Sequence, residues 1–223
     1  MTIVADRSGS PRVTNSPIAE AIARASIVPL TIEQYSQLIE QRIIPEDATV
    51  ELLRGVIVRK DRSSPGEDPM GHGKRHRLII SILGVLASRI NDGSKFVQLQ
   101  LPISCPPDNV PEPDAAIIRG SPIDYSHRFP GPGDVSCVIE AAHSSLERDR
   151  KDKLPIYAAA SIPQFIILNL FDDSIEIYSD PDPASEQYRT KTTINVNQIL
   201  SLKLPDGFFE IPAREILPRE ILP

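Results

Sequence analysis

The stretch DVSCVIEAAHSSLERDRKDKLPIYAAASIPQFIILNL, residues 134–170, decides the fold class. VSCVIEAA and QFIILNLF are apolar runs of strand length, and LERDRKDKLPIYAAAS between them carries a helical pattern that predicts a helix starting near Asp149. Pro155 then falls in or near its first turns, where a missing N–H costs least. A strand, a crossover helix and a second strand point to an α/β domain. One residue breaks the pattern. Glu140 stands inside the first run, where a purely structural strand would carry another Val or Ile.

The flanking segments extend the same architecture. KFVQLQLPI alternates, DAAII is a short apolar run, and DSIEIYSD and EQYRTKTTI read as further strands, DSIEI pairing back through the turn FDDS. Toward the N-terminus, PLTIEQYSQLIEQR predicts a helix with Thr31 as N-cap, Gln34 completing a capping box, and Ile32, Tyr35, Leu38 and Ile39 at helical spacing. TVELLRGVIVRK (49–60) predicts two short strands about Gly55, and 61–71 is a loop by composition. HGKRHRLIISILGVLASRIND predicts a long helix through Leu78, Ile79, Ile82, Leu83, Leu86 and Ile90, closed by Gly93. The expected fold is α/β, a central mixed β-sheet flanked by helices. Its expected divisions are a flexible arm over 1–28, a single domain over 29–212 and a tail over 213–223. REILP occurs twice in that tail, at 214–218 and 219–223, and is expected to pack on the body or on a partner.

Composition narrows the function classes. Of 223 residues 40% are apolar and 24% charged, a globular balance, while 22 prolines are roughly twice the usual ~5% and fall between periodic segments, which predicts stiffened connections. The net charge of −6 contrasts with the basic surplus of proteins that live on nucleic-acid backbone, so any DNA contact must be local or bridged by a metal. No run of about 18 apolar residues is present to span a membrane. MTIVADRSGSPRVTNSP lacks the apolar core of a secretory signal. Cys105 and Cys137 have no CxxC spacing, which reads as reduced thiols in a cytoplasmic protein and argues against zinc.

Four charges interrupt segments that should be buried: Glu51 in TVELL, Asp114 opening DAAII, Glu140, and Lys153 on the crossover helix. A charge buried alone costs several kcal/mol, so these side chains are expected to meet one another or a cation. Carboxylates on adjacent strands repel unless one is protonated or a divalent ion lies between them. Hard oxygen donors favour Mg²⁺ or Mn²⁺ over zinc. Asp149, Lys153 and Tyr157 follow at i, i+4 and i+8, one helix face that returns Lys153 to the carboxylates. Such a cluster supports metal-assisted hydrolysis. The bland alternatives are a strand-edge carboxylate at Glu140, a turn cap at Asp114, a solvated helix charge at Lys153 and a surface pair of Glu51 with Arg54 or Arg59. His76 is then a surface residue at a helix start, and His127 and His143 have no assigned role.

Read in order, ELLRG, H-x-x-I-x-x-x-L from His76, PEPDAAI, VIEAAHSS, D-x-x-x-K-x-x-x-Y from Asp149 and IPQFIIL resemble the Uma-two family of restriction endonucleases over about 30–180. That family is related to the PD-(D/E)xK nucleases and is abundant in cyanobacteria. The resemblance implies a restriction-endonuclease-like core, a homodimer, and a metal-dependent endonuclease acting on DNA. It implies Asp114 and Glu140 as ligands of Mg²⁺ or Mn²⁺ and Lys153 as the catalytic lysine, displaced to the helix because Ala142 occupies the usual position two residues after the Glu. Glu51 and His76 match further site positions. The chain departs from the family in reading Glu140-Ala-Ala-His-Ser-Ser for Glu-Val-x-Ser-Pro, and Pro163-Gln164-Phe165-Ile166 for PEYW. Those departures and the acidic net charge favour the alternative, a catalytically inactive nuclease-fold interaction or dimerisation module. A metal-dependent hydrolase acting on another substrate is a third reading. The basic run HGKRHR (72–77) is a candidate phosphate contact.

Overall fold

In the computed structural model, residues 2–5, 11–14, 17–18, 22, 27–45, 48–60, 74–143 and 145–217 are described. The loop expected over 61–71 and the second REILP copy lie outside them. Within the N-terminal arm, β1 (Thr2–Ala5) and β2 (Pro11–Thr14) pair antiparallel. Helix α1 (Ile32–Glu40) starts at the expected capping box: the Thr31 hydroxyl accepts from the Gln34 N–H at 3.1 Å, and the Gln34 side chain accepts from the Thr31 N–H at 2.8 Å. Next come the hairpin β3 (Val50–Leu53) and β4 (Val56–Arg59), and helix α2 (Lys74–Ile90). At the hairpin's turn Arg54 and Gly55 both have positive φ, 52° and 74°, as a tight two-residue loop requires.

The central sheet contains β5 (Lys95–Leu99), β6 (Ala115–Arg119), β7 (Val135–Ala142), β8 (Gln164–Asn169), β9 (Ser174–Asp182) and β10 (Gln187–Asn195), in the spatial order β10-β9-β8-β7-β6-β5. β7 and β8 run parallel, and every other neighbouring pair is antiparallel. A parallel pair needs a crossover. It is supplied by α3 (Leu146–Arg148), a π turn (Asp149–Lys153) and α4 (Leu154–Ala159). The crossover begins three residues earlier than the sequence pattern predicts and is locally underwound. Pro155 gives a local cause: its ring would clash with the carbonyl of residue 151, four positions back, and the widened turn removes that carbonyl from the α-helical position.

β6, β7 and β8 read as near-continuous apolar runs because both sheet faces are buried. One face carries Ala115, Ile117, Ile139, Ala141, Ile166 and Leu168. It is covered by Ile79, Leu83, Leu86 and Ile90 of α2 and by an antiparallel hairpin, β11 (Ile199–Leu204) and β12 (Gly207–Pro212). The short helix α5 (Ala213–Ile216) closes that layer, with Ala213, Ile216 and Leu217 buried, so residues 214–217 of the first REILP copy pack on the body. The other face carries Ala116, Ile118, Val138, Ala142, Phe165 and Ile167, under Leu154, Ile156 and Tyr157 of the crossover. The result is the expected mixed sheet between two covering layers.

Candidate active site

Register brings the first two carboxylates together. β6 and β7 pair Ala115 with Ile139 and Ala116 with Val138, so Asp114, one step before β6, stands directly across from Glu140. Directly opposed residues of an antiparallel pair project to the same face. Asp114 is also tied to the neighbouring strand, its Oδ2 accepting the Ala141 N–H at 2.9 Å.

Lys153 reaches them from the crossover. Its ammonium lies 2.8 Å from Glu140 Oε1 and 3.0 Å from Glu51 Oε1. Tyr157, one turn on, donates its hydroxyl to the same Glu140 oxygen at 3.0 Å. The i, i+4, i+8 face thus points inward: Asp149, Lys153 and Tyr157 are all buried. The π turn divides the run LERDRKDK, sending Asp149, Asp152 and Lys153 inside and leaving Lys151 exposed.

Glu51 enters through the β3–β4 hairpin, which is held against the loop before β6 by a bridge between Leu52 and Val110. It is fully buried. Its Oε1 accepts the Glu112 N–H at 2.8 Å, and its Oε2 pairs with Arg148. The bland alternative to a site role was a surface pair with Arg54 or Arg59. The structure instead pairs Arg54 with Glu186 at 2.7 Å, and Glu51 with two cations from the crossover, about a hundred residues away in sequence. His76 starts the long helix as expected, and its Nε2 lies 3.1 Å from Asp114 Oδ2. Gln100 adds a longer contact to Asp114 Oδ1, at 3.3 Å.

All five residues singled out from sequence therefore belong to one network. Asp149, which spacing placed on the Lys153 face, belongs to it as well, and so does Arg148, which the sequence did not single out. Asp149 accepts from the Ser145 hydroxyl at 2.8 Å. Of the basic run, Lys74–Arg77 are described, and Arg75 turns to Asp173 and the Leu170 carbonyl.

The electrostatics are unbalanced. Four carboxylates, Glu51, Asp114, Glu140 and Asp149, face two permanent cations, Lys153 and Arg148, which leaves two negative charges in excess when all four are ionised and His76 is neutral. Burial pushes the Glu140 carboxyl up. The Lys153 ammonium opposes this, but Asp149, Asp114 and Glu51 add to it, so the carboxyl titrates well above the usual range. Asp149 is raised by burial in the same way. For Lys153, burial works against the charged form, yet attraction to Glu140, Glu51 and Asp149 wins and the ammonium keeps its proton. Asp114 behaves oppositely. Burial raises it, but the His76 contact and the Ala141 amide outweigh burial and hold it at about 2. Since Asp114 is ionised and can only accept, His76 Nε2 carries the proton in their contact.

Among the described residues no three His, Cys, Asp or Glu side chains converge as a ready-made metal cage. The donor set nevertheless fits a hard cation: two opposed carboxylates with surplus negative charge suit Mg²⁺, which is commonly held by one or two carboxylates and otherwise by water. Thiols take no part. Cys105 and Cys137 are free and buried, and burial pushes both well up.

A mixed sheet with helices on both faces, carrying opposed carboxylates and a buried lysine, is a restriction-endonuclease-like nuclease fold. The chain belongs to the Uma2 family, described as putative restriction endonuclease, whose family model matches residues 32–213. The crystal structure of a putative nuclease from Anabaena variabilis aligns with a TM-score of 0.61 over 85% of this chain and 98% of that one. The two share 13% sequence identity, so that likeness concerns the fold. No curated protein matches the chain. Among the described residues, no helix is long and apolar enough to cross a membrane.

Proposed function

We propose that this chain is a metal-dependent endonuclease that hydrolyses phosphodiester bonds in DNA. The observation that carries the reading is the buried Lys153 ammonium between Glu140 and Glu51, with Asp114 opposed to Glu140 and a surplus of negative charge around them. Asp114 and Glu140 are the residues to hold Mg²⁺ or Mn²⁺. When bound, the ion supplies Lewis-acid neutralisation of the charge that develops on the phosphoryl oxygens.

The chain's own groups do the rest. An ammonium has three donors, and Lys153 gives two of them to Glu140 and Glu51. The third orients the attacking water or a phosphate oxygen. Glu51 and Tyr157 fix the lysine and Glu140 from either side, and Arg148 and the Glu112 amide hold Glu51 in place. His76 keeps Asp114 ionised and oriented.

Cleavage of plasmid and single-stranded DNA in Mg²⁺ or Mn²⁺ tests this. Asp114→Ala, Glu140→Ala and Lys153→Ala are each expected to lower the rate about a hundred-fold or more. Cleavage that survives all three substitutions overturns the site.

The second reading, a nuclease fold that serves as an interaction or dimerisation module, is favoured by the net charge of −6 and by the protein contacts already made by both Asp114 oxygens. Calorimetry separates the two. An active site takes up Mn²⁺ in a way that Asp114→Ala and Glu140→Ala abolish, whereas a module takes up none. Light scattering tests the homodimer that the family resemblance implies.

A further inference from the structure

Phe171 is 80% exposed, at the tip of the turn that links β8 to β9. A single exposed apolar residue needs no explanation by itself. This one stands at the end of the sheet where the carboxylates lie. β8 is parallel to β7, and the pairing runs one residue past the strands, the Leu170 N–H donating to the Ala142 carbonyl at 2.8 Å. Phe171 therefore follows directly on a contact to Ala142, two residues beyond Glu140. Strand rise and strand spacing put it within roughly 15 Å of Glu140.

The turn is held from both sides. The Phe171 N–H donates to Asn169 Oδ1 at 3.0 Å, and Arg75, at the start of α2, reaches the Leu170 carbonyl and the Asp173 carboxylate. Leu170 is buried beneath, so the ring is turned out on a braced support. The exposed His143 directly follows Ala142 on the adjacent strand, so it stands beside the Leu170–Phe171 end of the turn. Arg75, which contacts the turn, belongs to the run Lys74–Arg77 that begins α2, a local basic run on a chain of net charge −6. Of the turn's two acids, Asp173 is taken by Arg75 and Asp172 accepts from the Ser174 hydroxyl at 2.5 Å.

We propose that Phe171, with His143 beside it, stacks on an unpaired nucleobase, and that the substrate presented to the site is single-stranded or locally unpaired DNA. The inference rests on the nuclease reading and specifies its substrate. An aromatic ring beside basic side chains is how strand binding without base readout is built, because every base has a π face. In an intact duplex those faces are stacked away and offer the ring nothing.

Fluorescence anisotropy of the full chain tests this with a labelled mixed-sequence 20-mer, single-stranded and as a blunt duplex, in Ca²⁺ without Mg²⁺ or Mn²⁺. The wild type is expected to prefer the single strand. Phe171→Ala should lower the ratio of single-strand to duplex affinity about ten-fold, Phe171→Trp should restore it, and His143→Ala should lower it about three-fold. An unchanged ratio in Phe171→Ala overturns the stacking contact. So does a change in oligomeric state without a change in DNA affinity, which would make the ring a protein interface. If the wild type neither binds nor cleaves DNA of either form, the nuclease reading fails too. If it cleaves DNA while the ratio stays unchanged in Phe171→Ala, only the stacking contact is lost.

Discussion

The π turn between α3 and α4 serves two buried carboxylate centres, and they differ in how their charge is met. On one side Glu176 accepts both nitrogens of Arg150, a hydroxyl from Tyr178 and an ammonium from Lys191 at 3.1 Å. Burial raises its carboxyl, but these partners outweigh burial and bring it down to about 2. On the other side Lys153 and Arg148 are shared among Glu51, Glu140, Asp149 and Asp114, and the same burial leaves Glu140 raised. Both centres are buried ionic clusters beside the same crossover. Only the second carries more carboxylates than cations, and on the proposed reading that surplus is what a divalent ion would offset.

The largest effect expected from that difference is on Lys153. Lys153→Met removes the cation at the centre of the crowded side, leaving the buried Glu140 without an ion-pair partner and Glu51 with Arg148 alone. Urea unfolding of the metal-free protein should show a loss of about 3–5 kcal/mol. A loss under 1 kcal/mol would mean that the carboxylates are neutral or hydrated without the lysine. Glu176→Ala should cost less, about 2 kcal/mol, because the abandoned Arg150 and Lys191 side chains are 32% and 47% exposed and can turn to water. Mn²⁺ uptake measured by calorimetry should be untouched by that substitution.

Within the site, two isosteric changes are expected to act in opposite directions. Asp114 has a lowered folded-state value, so its stabilisation is present above the ordinary carboxyl range of about 3.9 and is lost as pH falls through about 2. Asp114→Asn should therefore cost about 2 kcal/mol at pH 7 and almost nothing at pH 2. Glu140 is raised, so its contribution is intact below about pH 4.3 and is lost as pH climbs through the raised value. At pH 8 without metal, Glu140→Gln should be more stable than the wild type by about 1–3 kcal/mol, and should no longer gain stability from Mn²⁺. Thermal melts across pH check both signs, and a destabilised Glu140→Gln at pH 8 would show that the excess charge is already compensated. The smallest effect lies far from either centre. Thr31→Ala breaks the α1 capping box and should cost about 1 kcal/mol with cleavage unchanged.

Much of this was legible in the chain. The β7–crossover–β8 unit announced itself because strands buried on both faces read as unbroken apolar runs, and Glu140 stood out against that background. Spacing alone placed Asp149, Lys153 and Tyr157 on one face. The hairpin of β11 (ILSLKL) and β12 (GFFEIP), joined through Pro205-Asp206, was not anticipated, although both strands alternate in burial as a sheet covered on one side does. The pairing of Arg148 with Glu51 and of Arg150 with Glu176 was beyond reach for a physical reason. Arg148 and Arg150 lie 97 and 26 residues from Glu51 and Glu176, and where the arginines of LERDRKDK turn depends on a local unwinding that charge spacing does not report.

The displaced lysine has a further consequence on the proposed reading. In β6 and β7 alone, Asp114 already faces Glu140, but no ammonium is present until the crossover has packed down on the sheet. Hydrolysis on that reading is therefore withheld from any chain whose crossover has not docked on the sheet. Moving one residue from strand to helix turns tertiary docking into a safety catch.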